Sequence, residues 1–373
     1  HPRKLGSDVP SACAGSFAAV SHIDAHSRSL ERIERLCRSV NEARALRTQV
    51  LDELRRVIGF QAHAWILTDP QTAVGVAPVA DVPWMAELPG HIRRRYLTPI
   101  NRWTALGDVP VALLHETTRG ELAKSMLWRE LLVRHGVTDA ASMVMKDRFG
   151  CWSFLELWKA GGAERFTRAD ATFLISLAEP LAQALRRCQA NTFTARPTRE
   201  EPRTGPVVLV LSEDLQVRGQ TAQTADFLRV LVPPTQGRAP IPAAAYNVAA
   251  QLLAVEASVD DHPPTARVHV SDGLWMTARA ARLGSVPGSK GERDIAVTLE
   301  QSSTSERADM FSRAFGLTPR ERELLGHLAE HDTRELARRM FLSENTVQDH
   351  LKAIFEKTAT HSRRALLALA HGR

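Results

Sequence analysis

No stretch of this 373-residue chain holds eighteen consecutive apolar residues, so no membrane-spanning helix and no membrane partner are expected. Cysteine is scarce and scattered. Cys13, Cys37, Cys151 and Cys188 form no Cys-x-x-Cys pair, which argues against a zinc site and fits a reducing, cytoplasmic setting. Ser11-Ala-Cys-Ala lacks the preceding apolar core of a lipoprotein signal, and the chain opens on His1, so an altered N-terminus is expected. Signatures of catalysis are also missing: there is no nucleophile elbow, metal helix or set of paired carboxylates. Gly284 to Gly291 contains a lysine but has neither phosphate-loop spacing nor a following helix, and reads as a hairpin loop. His22 and His26 stand at ligand spacing without a third ligand. No enzymatic activity, metal or cofactor is therefore expected.

What is present points to several domains. The length exceeds one ordinary domain. Net charge of +6 and a pI near 9.4 suit a nucleic-acid binder, yet from Glu306 to Arg373 there are 12 Lys and Arg against 10 Asp and Glu. Affinity for a polyanion should come from a few placed contacts, doubled by dimerisation, rather than from a polybasic tail.

Residues 1–28 read as a flexible tail. Ser29 to Ile58 repeats apolar residues at three and four and predicts one long amphipathic helix. Strands follow at Ala62 to Leu67 and Ala73 to Val79, then helices at Leu88 to Tyr96 and Leu122 to His135. A hairpin of Ala140 to Lys146 with Cys151 to Trp158 comes next, and a closing helix runs from Phe166 to Cys188. This order, with Phe166-Thr-Arg-Ala-Asp opening the last helix, resembles a GAF-type sensor over residues 29–190. Trp65, Trp152 and Trp158 lie on its predicted strands and are candidates to line an apolar ligand pocket, with core filling as the alternative.

A linker, rich in Arg, Thr, Glu and Pro, spans residues 191–206. Residues 207–303 begin with the strand Val207-Val-Leu-Val-Leu. They continue through a helix-like Gln223 to Leu228, a helix from Ala243 to Val255, and strands at Ala266 to Val270, Leu274 to Arg282 and Arg293 to Glu300. That pattern resembles a PAS-like antiparallel-sheet module. A phosphoacceptor receiver fits poorly, because the later strands follow one another as hairpins without intervening helices.

Residues 304–373 are the most specific part. Thr318, Pro319 and Glu321 mark a helix start, and Leu324, Leu325 and Leu328 give that helix one buried stripe. Thr333 opens a second helix with Leu336, Ala337 and Met340 inward; Ser343 caps a third with Val347, Leu351, Ile354 and Phe355 on one arc. The opposite arc carries Asn345, Gln348, Asp349 and Lys352, whose groups suit base edges. Ser343, Thr346, Lys357, Arg363 and Arg364 are placed to hold phosphates. A short helix from Ser362 to Ala370 exposes Leu366, Leu367 and Leu369 to a partner helix.

Leu317-Thr-Pro-Arg-Glu-Arg-Glu-Leu-Leu, Arg334-Glu-Leu-Ala, Leu342-Ser-Glu-Asn-Thr-Val and His350-Leu-Lys-Ala-Ile-Phe-Glu-Lys resemble the LuxR-type DNA-binding domain. The resemblance implies an all-α four-helix helix-turn-helix unit that sets its third helix in the major groove, pairs through its fourth, and binds a near-palindromic site as a dimer. Two features depart from that family's pattern. The loop around His331-Asp332 is one residue short, and Gln348 stands where the family most often has Lys.

The chain thus reads as an α+β multidomain regulator. Its expected partners are double-stranded DNA, a second copy of itself, RNA polymerase and a small-molecule effector in the N-terminal domain. A ligand-free version, a quorum-signal receptor and a nucleotide-signalling enzyme with a DNA-binding tail are the rival readings.

Overall fold

The computed structural model describes residues 13–162, 164–194, 207–222, 224, 243–271, 274–284 and 293–372. The expected 30-residue-scale helix at the start is two helices, α1 (Cys13–Ser39) and α2 (Ala43–Ile58). Glu42 breaks it, adopting an extended backbone and turning its carboxylate onto Arg44 N at 2.7 Å and Ala45 N at 2.6 Å. The apolar repeat hides that break because Leu36, Val40, Ala43 and Leu46 all pack on the same core. Helix α1 begins well inside the segment expected as a tail, and His26 stacks on Phe173 with ring centroids 4.7 Å apart.

The first sheet comprises β1 (Ala62–Thr68), β2 (Gly75–Asp81), β3 (Val111–Leu113), β4 (Val137–Asp147) and β5 (Gly150–Ala160). It is antiparallel throughout, in the order β2-β1-β5-β4-β3. Helix α3 (Leu88–Leu97) follows β2, and short helices α4 (Leu114–Thr117) and α5 (Met126–Glu130) follow β3. The expected helix over Leu122 to His135 is instead two 3-10 turns flanking α5. Ser125, extended, caps Trp128 N, and Leu131 leaves helical geometry at φ −132°. Helix α6 (Arg168–Thr194) closes the domain; Thr167 and Asp170 cap each other reciprocally at its start. Trp65, Met143, Leu155 and Leu157 pack on one face of the sheet under α1, α2 and α6. Phe154 and Trp158 belong to separate clusters on the other face.

The second sheet holds β6 (Val207–Leu211), β7 (Val217–Gln220), β8 (Thr265–Ser271), β9 (Leu274–Arg282) and β10 (Ile295–Gln301), in the order β7-β6-β10-β9-β8. Both sheets therefore place their strands second, first, fifth, fourth, third. Helix α7 (Ala243–Glu256) connects β7 to β8, as α3 lies between β2 and β3. Its sequence is apolar nearly all round, as a helix covered on every side requires. It packs on β9 of its own sheet and on α3 and β2 of the N-terminal domain. Asn247 donates to Gly75 O at 2.9 Å, and Arg102 reaches Asp260 at 2.6 Å and Gln251 at 2.9 Å across the same seam. The helix expected at Gln223 to Leu228 and the loop at Gly284 to Gly291 lie largely outside the described residues.

Helix α8 (Thr304–Ala314) leads into α9 (Pro319–His327), α10 (Thr333–Arg339), α11 (Glu344–Thr358) and α12 (Arg363–His371). One core joins this unit to the others: Phe193 from α6 stacks on Trp275 of β9 at 5.1 Å and meets Phe311 of α8 edge-on at 5.4 Å. Arg313 of α8 donates to Phe149 O in the β4–β5 turn at 3.0 Å.

Candidate nucleic-acid interface

Each helix of the C-terminal unit starts on a side chain suited to the task. Thr318 and Glu321 form a full capping box, Ser343 Oγ accepts from Thr346 N at 3.1 Å, and Ser362 Oγ accepts from Ala365 N at 3.1 Å. The second helix opens at Thr333 as expected, with Asp332 as its cap, the carboxylate accepting from Glu335 N at 2.8 Å. Leu324, Leu325, Leu328, Leu336, Met340, Val347 and Ile354 are buried together. That packing holds α11 against α9 and α10 with its other arc outward.

On that arc Asn345, Gln348, Asp349 and Lys352 are all exposed. Gln348 Nε2 lies 3.4 Å from Thr333 Oγ1, so α10 steadies one of the four. The arrangement offers amide, carboxylate and ammonium groups in line along one helix, which are the groups that pair with base edges in a major groove. Ser343 is exposed and Thr346 half-buried, their hydroxyls 2.8 Å apart at the helix N-terminus.

The basic residues expected at phosphates divide. Arg364 is exposed. Lys357 is committed within the fold, its Nζ 2.6 and 2.9 Å from the two carboxylate oxygens of the buried Glu321. Burial acts to raise that carboxyl, but Lys357 and the Thr318 amide outweigh it and hold Glu321 below the usual carboxylate range. Arg363 is also taken: its Nε donates to Leu328 O at 2.9 Å, and Nη2 reaches the carbonyls of Leu328 and His331. These two residues thereby close the α9–α10 turn and brace α11. Reading the sequence missed Arg334, Arg338 and Arg339, exposed along α10 beside the recognition helix; their spacing alone was the available signal. It also missed Phe341 in the turn before α11, 94% exposed with a left-handed φ of 56°.

Of the expected pairing residues, Leu366 is wholly buried in its own subunit's core, while Leu367 and Leu369 are half-buried against it. Leu366 is thus a core residue, because α12 needs an anchor on α8 before it can present anything outward.

The three tryptophans proposed for a pocket do not converge. Trp65 donates to Ser153 Oγ at 3.0 Å and Trp152 to Asp147 at 2.9 Å, both in the core under α6, whereas Trp158 lies across the sheet against Trp84. A register shift between Met145 and Lys146 leaves Trp152 unpaired and turns it to the Trp65 side, against the alternation that would put it with Trp158.

A polar cluster that sequence reasoning passed over occupies the Trp158 side. Arg95 and Glu156 form a buried ion pair at 2.5 Å. Around them Trp84 Nε1, His91 Nδ1, Arg95 Nη1, Thr98 Oγ1 and Asn101 Nδ2 are buried without a hydrogen-bond partner. Burial, with Arg95 and Arg94 adding to it, pushes His91 down to about 3, so the imidazole is neutral. The spacing of His91 and Arg95, one helical turn apart, was the legible hint.

The family model described as bacterial regulatory proteins, luxR family, matches residues 316–370. Those residues are a LuxR-family helix-turn-helix DNA-binding domain. No curated protein matches the chain. A crystal structure of Escherichia coli SdiA is similar at 12% identity and a TM-score of 0.33, over 92% of this chain and 96% of that one. SdiA in complex with octanoyl-rac-glycerol gives the same identity and score, over 92% of this chain and 93% of that one. The E. coli DhaR(N)-DhaL complex is similar at 12% identity and a TM-score of 0.18, over 76% of this chain and 89% of that one. Likenesses this distant bear on neither activity nor ligand. Among the described residues, no helix is long and apolar enough to cross a membrane.

Proposed function

We propose that the chain is a cytoplasmic transcription regulator that binds a near-palindromic DNA site as a homodimer, reading the major groove with α11. The observation that carries this reading is the exposed line Asn345, Gln348, Asp349 and Lys352 on a helix whose opposite face, Val347, Leu351 and Ile354, is buried. Gln and Asn suit adenine, Asp accepts from cytosine N4, and Lys donates to guanine. Ser343, Thr346 and Arg364 flank that line and serve the phosphate backbone, together with Arg334 and Arg338 on α10. RNA polymerase is the further partner such a regulator would meet. Selection of bound duplexes from a randomised library by the full-length chain tests the reading: it requires an enriched motif with two inverted half-sites.

Regulation, in this account, comes from a small effector taken up by the GAF-like N-terminal domain and passed through the PAS-like module. The partnerless polar atoms of Trp84, His91, Arg95, Thr98 and Asn101 support it, since buried polar groups normally find partners and a polar guest would supply them. A ligand-free reading, in which both modules serve packing and dimerisation alone, is favoured by the filled core around Trp65 and Trp152, whose indole N–H groups are both satisfied. Native mass spectrometry separates the two: an extra mass on each subunit supports the effector, a bare dimer the packing role.

A further inference from the structure

The line of polar side chains on α11 is touched from the side by α10. Thr333 stands at the first position of α10, and its Oγ1 accepts from Gln348 Nε2 at 3.4 Å. The start of α10 does not need that hydroxyl, because Asp332 caps it with a carboxylate on Glu335 N at 2.8 Å. Packing fixes where the two side chains begin. Leu336 and Ala337 of α10 are buried with Val347 and Leu351 of α11, and Ser343 Oγ holds Thr346 N at 3.1 Å at the start of α11. Thr333 is half-buried and Gln348 exposed, so the bond runs from a packed helix to a side chain that is otherwise open to solvent. Such a bond restricts Gln348 before DNA arrives and lowers the ordering cost of binding.

The restriction matters because a carboxamide has two unlike arms. A lysine at this position would present donors whichever way it turned, whereas a glutamine carries an acceptor on one arm and two N–H donors on the other. Its last torsion is broad, so a free glutamine can offer either arm to a base. In the major groove guanine shows two acceptors, N7 and O6, while adenine shows the N7 acceptor beside the N6 donor. Reading guanine takes both N–H groups of the carboxamide. Reading adenine takes the oxygen and one N–H, and leaves the second N–H for a neighbouring acceptor such as Thr333 Oγ1. With one N–H given to Thr333, the groups left on Gln348 match adenine and not guanine.

We propose that Thr333 is a positioning residue for base recognition, turning the Gln348 carboxamide so that α11 reads adenine at that position. Thr333 touches no base in this account and acts through Gln348 alone. The inference rests on α11 being the base-reading helix, and it adds to that helix a specificity-setting residue on the helix before it.

The test compares the full-length parent with Thr333→Val, which keeps the shape and removes the hydroxyl, and with Thr333→Ser, which keeps the hydroxyl. Each chain is titrated by fluorescence anisotropy against duplexes of the parent's selected site, carrying each of the four bases at the position where Gln348→Ala flattens discrimination. The parent should prefer adenine there. Thr333→Val should lose about two- to fivefold of the adenine preference over guanine, the low side for a neutral hydrogen bond because Gln348 is exposed, with preferences elsewhere unchanged. Thr333→Ser should retain the parent's preference. An unchanged preference in Thr333→Val overturns the proposal and leaves α11 as the reading helix. Equal weakening on every duplex makes Thr333 a phosphate contact and also overturns it. So does a guanine preference in the parent, because both N–H groups of Gln348 would then face the base. If Gln348→Ala flattens no position, the reading of α11 itself fails and the proposal falls with it.

Discussion

Arg267 and Asp69 are separated by 198 residues and meet in a two-pronged ion pair, Nε to Oδ2 at 2.7 Å and Nη2 to Oδ1 at 2.8 Å. The Arg267 backbone N–H adds a third bond to the same carboxylate at 2.8 Å. The remaining guanidinium nitrogen reaches Asp309 of α8 at 2.7 Å and Glu306 O at 3.2 Å. One side chain on the middle module therefore holds the N-terminal domain with one edge and the DNA-binding unit with another. Desolvation works against its charge, but Asp69 and Asp309 outweigh it and raise the Arg267 pKa above the ordinary value.

Arg267→Met should cost about 3–5 kcal/mol of stability, because it leaves the buried Asp69 carboxylate without its counter-charge. Urea unfolding of the full chain measures this. Asp69→Asn should also destabilise, since its single amide oxygen can keep either the Gln71 N–H, made to Oδ1, or the Arg267 N–H, made to Oδ2, and its NH2 group then faces the donors left over. A loss under about 1 kcal/mol for Arg267→Met would place the junction among solvent-screened ion pairs.

The Glu321–Lys357 pair makes the DNA-binding unit acid-sensitive. A carboxyl held below its unfolded value stabilises the fold above that unfolded value, about 4.3, and the contribution is lost as pH falls through the folded value. Lys357→Met should therefore cost about 1–2 kcal/mol at pH 7, discounted for the half-exposed ammonium, and almost nothing once Glu321 is protonated. Thermal unfolding of both chains from pH 7 to pH 3 checks this, and a gap independent of pH speaks against the pair.

Phe341 pays for its left-handed backbone with no packing return. Phe341→Gly relieves roughly 1–2 kcal/mol of local strain and gives back about 0.4–1 kcal/mol through a freer unfolded chain. A net gain of up to about 1 kcal/mol is expected, seen as a small rise in the melting temperature. If DNA affinity falls while stability rises, Phe341 is held in place for the complex.

Features set by near neighbours were legible in the sequence. Thr318 and Ser343 cap the helices they were expected to cap, since a hydroxyl and a main-chain amide three residues on need no tertiary context. Thr333 opens its helix where expected, with Asp332 just before it as the cap. Features set by distant pairing were not legible. Lys357 and Arg363 looked free because Glu321 and the Leu328 carbonyl approach them from another helix. The Trp152 bulge reversed a side chain that strict alternation would have aimed correctly. The shared strand order of the two sheets left no trace, because hydrogen-bond partners 50 or more residues apart carry no local pattern.

Base recognition is the role proposed for α11. Its most direct measurement is the sequence preference of Gln348→Ala and Lys352→Ala beside the parent chain, on duplexes varied one base pair at a time. Each substitution should flatten discrimination by about 1–3 kcal/mol at one or two positions and leave the others unchanged. Uniform weakening on every duplex, with the parent's preferences retained, would make both residues backbone contacts and contradict the assignment.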